Sequence, residues 1–325
     1  MMKLWLLITL LLPQWAFAKT VLIVDSYGDD WAWNQDYVEA VKQTLHENTE
    51  VIEAPLLLQH IPKSHFKYAA ESVYQRYLQI QPDVVVLVDD NAFETLYPML
   101  YLENADIVFV GVNKNPRAML ERYTGRARVT GVIERPNFLR TLGDVASILD
   151  DEHRKILMLF DAGTTGKATR TSMQAQYELF KNELNVDVQF MSASTERGWQ
   201  RMILTAKARG FGAVILGEYQ DLVNSRGQSI DPKLLLSWTR KYSQVPLFSF
   251  WSFSIGTGKA AGGVTIATQE DGRLAGEMVN NILGNRESAA TLPIRLGTMG
   301  MGIYSTSELE RWGLNVPLGW VVKSD

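Results

Sequence analysis

Two series of short apolar runs, separated by longer amphipathic stretches, constrain this chain more than any other feature. Val21-Leu22-Ile23-Val24, Val51 to Pro55, Asp83 to Val88, Asp106 to Val112 and Val129 to Ile133 make the first series. Lys155 to Phe160, Val186 to Met191, Ala213 to Gly217, Pro246 to Phe250 and Val264 to Ala267 make the second. Between the runs, apolar residues recur at helical spacing. Tyr37, Val38, Val41 and Leu45 do so within Asn34 to Glu47, and Phe66, Ala70, Val73, Tyr74 and Tyr77 within Lys63 to Gln79. Further helices are predicted over Ala92 to Leu100, over Asn137 to Leu149 (opened by Pro136), and over Lys167 to Leu184, Thr195 to Ala208, Pro232 to Tyr242 and Gln269 to Leu283. The tail adds Leu292 to Leu296, Gly302 to Tyr304 and a short helix from Ser305 to Trp312. Apolar strands without polar alternation, separated by helices, imply parallel sheets covered on both faces. Each series is long enough for its own doubly wound sheet. Two lobes are also expected because single cores stop growing at roughly 250–300 residues, and this chain has 325.

The first residues read as an export signal. Lys3 supplies the positive start, Leu4 to Leu12 is apolar except for Thr9, and Ala16-Phe17-Ala18 has the small-x-small form of a cleavage site. The run is far short of the ~20 apolar residues a membrane span needs. Cleavage after Ala18 and a periplasmic location are therefore expected. There are no cysteines, hence no disulfides and no lipid-bearing cysteine after the signal. A net charge of −4 without basic runs argues against nucleic acid or an anionic membrane as partner.

In open parallel sheets, ligands bind beyond the carboxyl ends of the strands, so the residues after each strand are the candidates. Ser26, Tyr27, Trp31 and Trp33 follow the first strand, and rigid rings with a polar edge suit a wall for a planar ligand. Loop-to-core packing is the structural alternative. Asp89, Asp90 and Asn91 follow the third strand and Asn113 the fourth; each could bind a ligand or cap a helix. Asp161-Ala162-Gly163-Thr164-Thr165-Gly166-Lys167, with small residues, the hydroxyls of Thr164 and Thr165 and free backbone N–H groups at a helix N-terminus, reads as an anion-holding loop or as an ordinary tight turn, and Asp161, Thr164 and Thr165 are its candidate ligand-binding residues. A Walker A motif is excluded, because Gly163 and Gly166 are three apart and Ala168 follows Lys167. Glu218 could pair with an ammonium group; with Tyr219 and Trp251 it completes the second rim, hinge packing being the alternative for the rings.

Catalysis finds little support. His46, His60, His65 and His153 have no partner at metal-ligand spacing, so neither zinc nor another cofactor is expected. There is no Gly-x-Ser-x-Gly elbow, and no Gly-x-Gly-x-x-Gly follows the first strand.

One ordered set of segments carries a resemblance. It comprises Asp25-Ser26-Tyr27 with Trp33, Pro82 to Val86, Val108 to Asn113 and Val129 to Val132. It continues with Ala261-Gly262-Gly263-Val264-Thr265, Gly272 to Glu277, Ile282-Leu283-Gly284, Leu292-Pro293-Ile294 and Glu310 to Pro317. The chain thereby resembles the periplasmic binding proteins of type I fold. More closely, it is similar to the ABC transporter substrate-binding family that includes tryptophan- and phenylalanine-type binders. The resemblance implies an α/β protein with two doubly wound parallel-sheet lobes joined by a three-crossing hinge. Residues 19–133 and 263–290 would form the N-terminal lobe, and 134–262 and 291–325 the C-terminal lobe. It implies a monomeric binding module, not an enzyme, that captures a small aromatic or amino-acid-like molecule and delivers it to an ABC permease. The aromatic-rich first loop is more similar to members linked to sensory receptors, so docking on a sensor kinase or chemoreceptor is the alternative. An exported enzyme on a doubly wound fold is a third reading.

Overall fold

The structure is a computed structural model that describes residues 19–134, 137–150, 154–284, 287–298 and 300–323. The expected export signal (residues 1–18) and Pro136 lie outside the described residues.

The first lobe alternates strand and helix. In chain order it contains β1 (Lys19–Asp25), α1 (Ala32–Thr44), β2 (Thr49–Glu53), α2 (Phe66–Ile80), β3 (Val84–Val88), α3 (Asp90–Leu100), β4 (Asp106–Val112), α4 (Arg117–Arg122) and β5 (Arg128–Ile133). The second lobe continues with α5 (Phe138–Ile148), β6 (Lys155–Asp161), α6 (Thr164–Leu184), β7 (Asp187–Ala193), α7 (Glu196–Thr205), β8 (Ala213–Leu216), α8 (Pro232–Tyr242), β9 (Leu247–Ser249) and β10 (Gly262–Val264). The chain then returns to the first lobe with α9 (Thr268–Leu283) and β11 (Arg295–Leu296), and ends in the second with β12 (Gly302–Tyr304), α10 (Thr306–Arg311) and β13 (Val321–Val322). The sheet orders are β11-β5-β4-β3-β1-β2 and β13-β12-β10-β9-β8-β6-β7. The described chain therefore passes between the two sheets three times.

Burial explains why the strands read as unbroken apolar runs. In β1, Leu22 and Val24 pack with Ala70 and Val73 of α2 and Phe93 of α3, whereas Val21 and Ile23 pack with Tyr37 and Val41 of α1 and Val279 of α9. In β6, Ile156, Met158 and Phe160 face α5 and α6, and Leu157 and Leu159 face α7 and α8. Both pleat faces are dry, so the period-2 signal of a half-exposed strand is lost. Helix α9 is held against α1 by small residues: a Cβ on Gly272 would sit 2.7 Å from the Ala40 Cβ, and one on Gly276 2.6 Å from the Thr44 Cβ.

The structure corrects several expectations. Gly262 and Gly263, expected at a lobe boundary ahead of a strand from Val264 to Ala267, are themselves strand β10 of the second sheet. They are glycine because a side chain has no room: a Cβ on Gly263 would lie 1.8 Å from the Ser249 carbonyl oxygen, and one on Gly262 2.3 Å from the Trp320 ring. The second crossing thus falls after Val264, not before Gly263. Strand β11 pairs with β5, so the segment from 291 onward begins in the first lobe and not in the second. β12 runs antiparallel to β10, so the second sheet is mixed. Helix α6 starts at Thr164 rather than Lys167, and α4 and β13 are additional elements too short to leave a periodic signal.

Candidate functional site

The strand-end loops of the two lobes face one another across a cleft of about 640 Å3. On the first-lobe side, Asp25 at the end of β1 organises the turn. Its Oδ1 accepts from the N–H groups of Tyr27 (2.9 Å) and Gly28, and from Asn34 Nδ2 at 2.7 Å. Gly28 takes φ +64°, a left-handed conformation that glycine adopts without strain. This fold of the loop brings three rings together: Tyr27 lies 5.4 Å from Trp31 and 6.1 Å from Trp33, centroid to centroid.

Asp89 at the end of β3 has φ +81° and ψ 159°, a region left almost entirely to glycine. Its Oδ2 holds the strain in place by accepting from the Asn91 N–H (2.9 Å) and the Ser26 hydroxyl (2.7 Å). The Ser26 oxygen in turn accepts from the Ala92 N–H at 2.9 Å. Asn91 donates to the Tyr27 hydroxyl at 2.8 Å, fixing the ring's edge. Asp90 points away and accepts the N–H groups of Asn113 (3.1 Å) and Lys114 (3.0 Å).

On the second-lobe side, Asp161 ends β6. Its Oδ1 accepts the Gly163 N–H at 2.8 Å and its Oδ2 the Asp221 N–H at 3.0 Å. Glu218 follows β8 and is 5% exposed; its Oε1 accepts the Thr169 hydroxyl at 2.7 Å. Trp251 follows β9, stacks on Phe253 at 6.1 Å, and meets Trp33 of the other lobe at 6.1 Å with the planes tilted by 35°. At the mouth, Lys63 Nζ lies 3.1 Å from Asp221 Oδ2 across the lobes. Both side chains are about half exposed, so this pair contributes at most about 1 kcal/mol to closure.

Tyr27, Trp31, Trp33, Asp89, Asn91, Asn113, Asp161, Thr165, Glu218 and Trp251, all singled out from the sequence, line the cleft. Ser26, Asp90, Thr164 and Tyr219 are not among its lining residues. Ser26 and Asp90 are buried braces that tie strand ends together. Thr164 is the first residue of α6. Tyr219 is buried, shares a 2.7 Å hydrogen bond with Ser254, and packs against Trp199 and Phe253. The anion-holding reading of Asp161 to Lys167 also changes. The Asp161 carboxylate itself lies over the first turn of α6, 2.4 Å from where a Cβ on Gly166 would stand, so an internal anion occupies that position.

Several lining residues escaped the sequence reading. Gln59 to Lys63 come from the loop after β2 and Phe66 from the start of α2, and Asp221 to Val223 and Ser229 to Asp231 come from the long β8–α8 loop, with Pro232 opening α8. The strand-end rule that located the others points to both segments. Glu134, at the first crossing, is buried and accepts from the Tyr37 hydroxyl at 2.5 Å.

Burial dominates the electrostatics. It pushes the Glu134 and Glu218 carboxyls up to about 8. Asp161 rises to about 6, first through burial and then through the nearby Asp221 carboxylate. Asp89 and Asp90 are raised by burial, and for Asp89 the adjacent Asp90 charge adds to it. Among the described residues no helix is long and apolar enough to cross a membrane.

No family model and no curated protein matches the chain. Solved structures do. An ABC domain from Streptococcus pneumoniae in complex with L-Trp is similar over 94% of this chain and 99% of its own, with a TM-score of 0.69 and 11% identity. A substrate-binding protein with adhesive properties from Clostridium difficile, in its ligand-free open form, matches over 94% and 100%, with a TM-score of 0.64 and 13% identity. The transcription regulator CcpA of Lactococcus lactis matches over 87% and 97%, with a TM-score of 0.60 and 12% identity. The TM-scores show a shared fold, and at such identities the likeness is one of fold alone.

Proposed function

From the fold of the type I periplasmic binding proteins, which this chain has, we propose that it is an exported solute-binding protein. Its lobes close on a small aromatic or amino-acid-like molecule and present it to an ABC permease. Export rests on the sequence of the first 18 residues, with Lys3, the apolar run from Leu4 and Ala16-Phe17-Ala18. The fold alone does not decide between functions, and it is shared with a transcription regulator.

The observation that carries the reading is the meeting of Trp33 and Trp251 across the lobe boundary, 6.1 Å apart, over a cavity whose walls come from strand-end loops of both sheets. A solute touching both rims favours the closed arrangement by the difference in its affinity for the closed and open states. A volume of about 640 Å3 falls within the usual range for small-molecule sites.

Small-angle X-ray scattering with a thermal-shift screen tests the proposal. A bound solute is expected to raise the melting temperature by mass action and to lower the radius of gyration. Trp33→Ala or Trp251→Ala should weaken its binding by about 1–3 kcal/mol. A solute that stabilises the protein without compaction, or with unchanged affinity in both variants, would count against closure on an aromatic wall.

A further inference from the structure

Two buried carboxylates, one from each lobe, are anchored through one oxygen and unpartnered at the other. Asp89 is fully buried; its Oδ2 is engaged by Ser26 and Asn91, while its Oδ1 has no hydrogen-bond partner. Glu218 has the same division: Oε1 is engaged by Thr169, and Oε2 has no partner. Both residues line the cleft. A carboxylate oxygen removed from water and left unpaired is costly, so an occupant that supplies N–H donors on both sides relieves two such costs at once.

Charge balance narrows the occupant further. Asp161, Asp221 and Asp231 line the same cleft, among the described residues no arginine does, and the Lys63 ammonium is already held by Asp221 at 3.1 Å. The N-terminal turn of α6, the natural seat for a ligand carboxylate, is covered by Asp161. The opposed rings of Trp33 and Trp251 offer faces that attract a cation. A bare metal ion does not suit the site, because among the described residues no three acidic or imidazole groups converge as metal ligands.

We infer that the cleft takes a small organic ammonium ion lacking an adjacent carboxylate, which donates to Asp89 Oδ1 and Glu218 Oε2 and lies against Trp33 and Trp251. This rests on the solute-binding reading and replaces its amino-acid-like ligand with an amine. The Trp251 Nε1–H, buried and unpartnered, would donate to a hydroxyl or carbonyl elsewhere on the same molecule. Burial holds Glu218 up at about 8, and an arriving cation would return it to the charged form.

Isothermal titration calorimetry at pH 7.5 with two matched series tests the assignment. The first is tryptamine, tryptophan, indole-3-propionate and tryptophol; the second is 1,4-diaminobutane, 4-aminobutyrate, succinate and butane-1,4-diol. In at least one series the amine is expected to bind tenfold or more tightly than the zwitterion, acid and alcohol. Glu218→Gln should weaken amine binding about tenfold and leave the alcohol within twofold. Asp89→Asn, which keeps an acceptor for Asn91, repeats the test should the first variant lose its fold. An acid, zwitterion or alcohol binding as tightly as the amine would overturn the ammonium assignment and leave solute capture standing. No binding by any member of either series, in protein of unaltered melting temperature, would overturn both.

Discussion

Asp89 and Asp161 begin from the same local plan and end in different states. Each closes an apolar parallel strand, β3 or β6, and precedes a helix whose first N–H groups need acceptors. Each folds its carboxylate back onto the chain, Asp89 to the Asn91 N–H and Asp161 to the Gly163 N–H. The second oxygen separates them. For Asp161 it accepts the Asp221 N–H at 3.0 Å, whereas for Asp89 it has no partner. The long β8–α8 loop supplies the extra donor in the second lobe, and among the described residues no donor reaches Asp89 Oδ1. On the ammonium proposal, a strand-end aspartate is a brace where a neighbouring loop saturates it and a ligand group where none does.

The sharpest way to break this comparison is to neutralise both residues. Asp89→Asn is expected to reduce amine affinity tenfold or more in calorimetry while leaving the melting temperature nearly unchanged, since one oxygen still serves Asn91. Asp161→Asn should do the reverse. One of its two N–H acceptors becomes an amide NH2, which costs about 1–3 kcal/mol in a denaturant titration, with affinity changed less than threefold. Equal effects from the two variants would show that both aspartates do the same job.

A pH series sharpens the comparison next. Glu134 and Glu218 have ordinary values of 4.5 and are raised to about 8 in the folded protein. The folded chain then holds more protons than the unfolded one between those limits, so stability falls as pH rises through that window. Asp90 and Asp161 add negative charge around Glu218, with Thr169 its neutral partner. The ligand-free protein is expected to melt several degrees higher at pH 5.5 than at pH 8.5, and Glu218→Gln should flatten the slope. Stability rising with pH would show these carboxyls to be charged in the folded state.

The smallest effect belongs to the mouth of the cleft. Lys63→Ala should weaken ligand binding by no more than about 1 kcal/mol, and the difference should vanish in high salt. A larger loss that survives salt would mean that Lys63 contacts the ligand rather than Asp221.

Much of this was legible from the chain because both faces of each sheet are buried. Runs such as Val84 to Val88 admit few other environments, and the loops after them are where a doubly wound sheet binds. Tyr27, Trp33, Asp89, Glu218 and Trp251 were found that way, and the structure gathers them into one cleft. Saturation of an acceptor was not legible: Asp161 reads like Asp89 until a loop sixty residues later closes over it. Nor was the partnering of Gly262 and Gly263, since a glycine pair signals a hinge and a close strand approach equally well. Glu134 gave no signal, its burial arising only where the first crossing meets Tyr37.

The most direct measurement is proton exchange on tryptamine or 1,4-diaminobutane binding at pH 7, from calorimetry in buffers of different ionisation enthalpy. A cation settling between Asp89 and Glu218 must displace protons that burial keeps on them, so a net release of about one proton is expected, and a clearly smaller one in Glu218→Gln, where only Asp89 is left to give one up. Binding that releases no proton, or takes one up, would contradict an ammonium ion held by these two carboxylates.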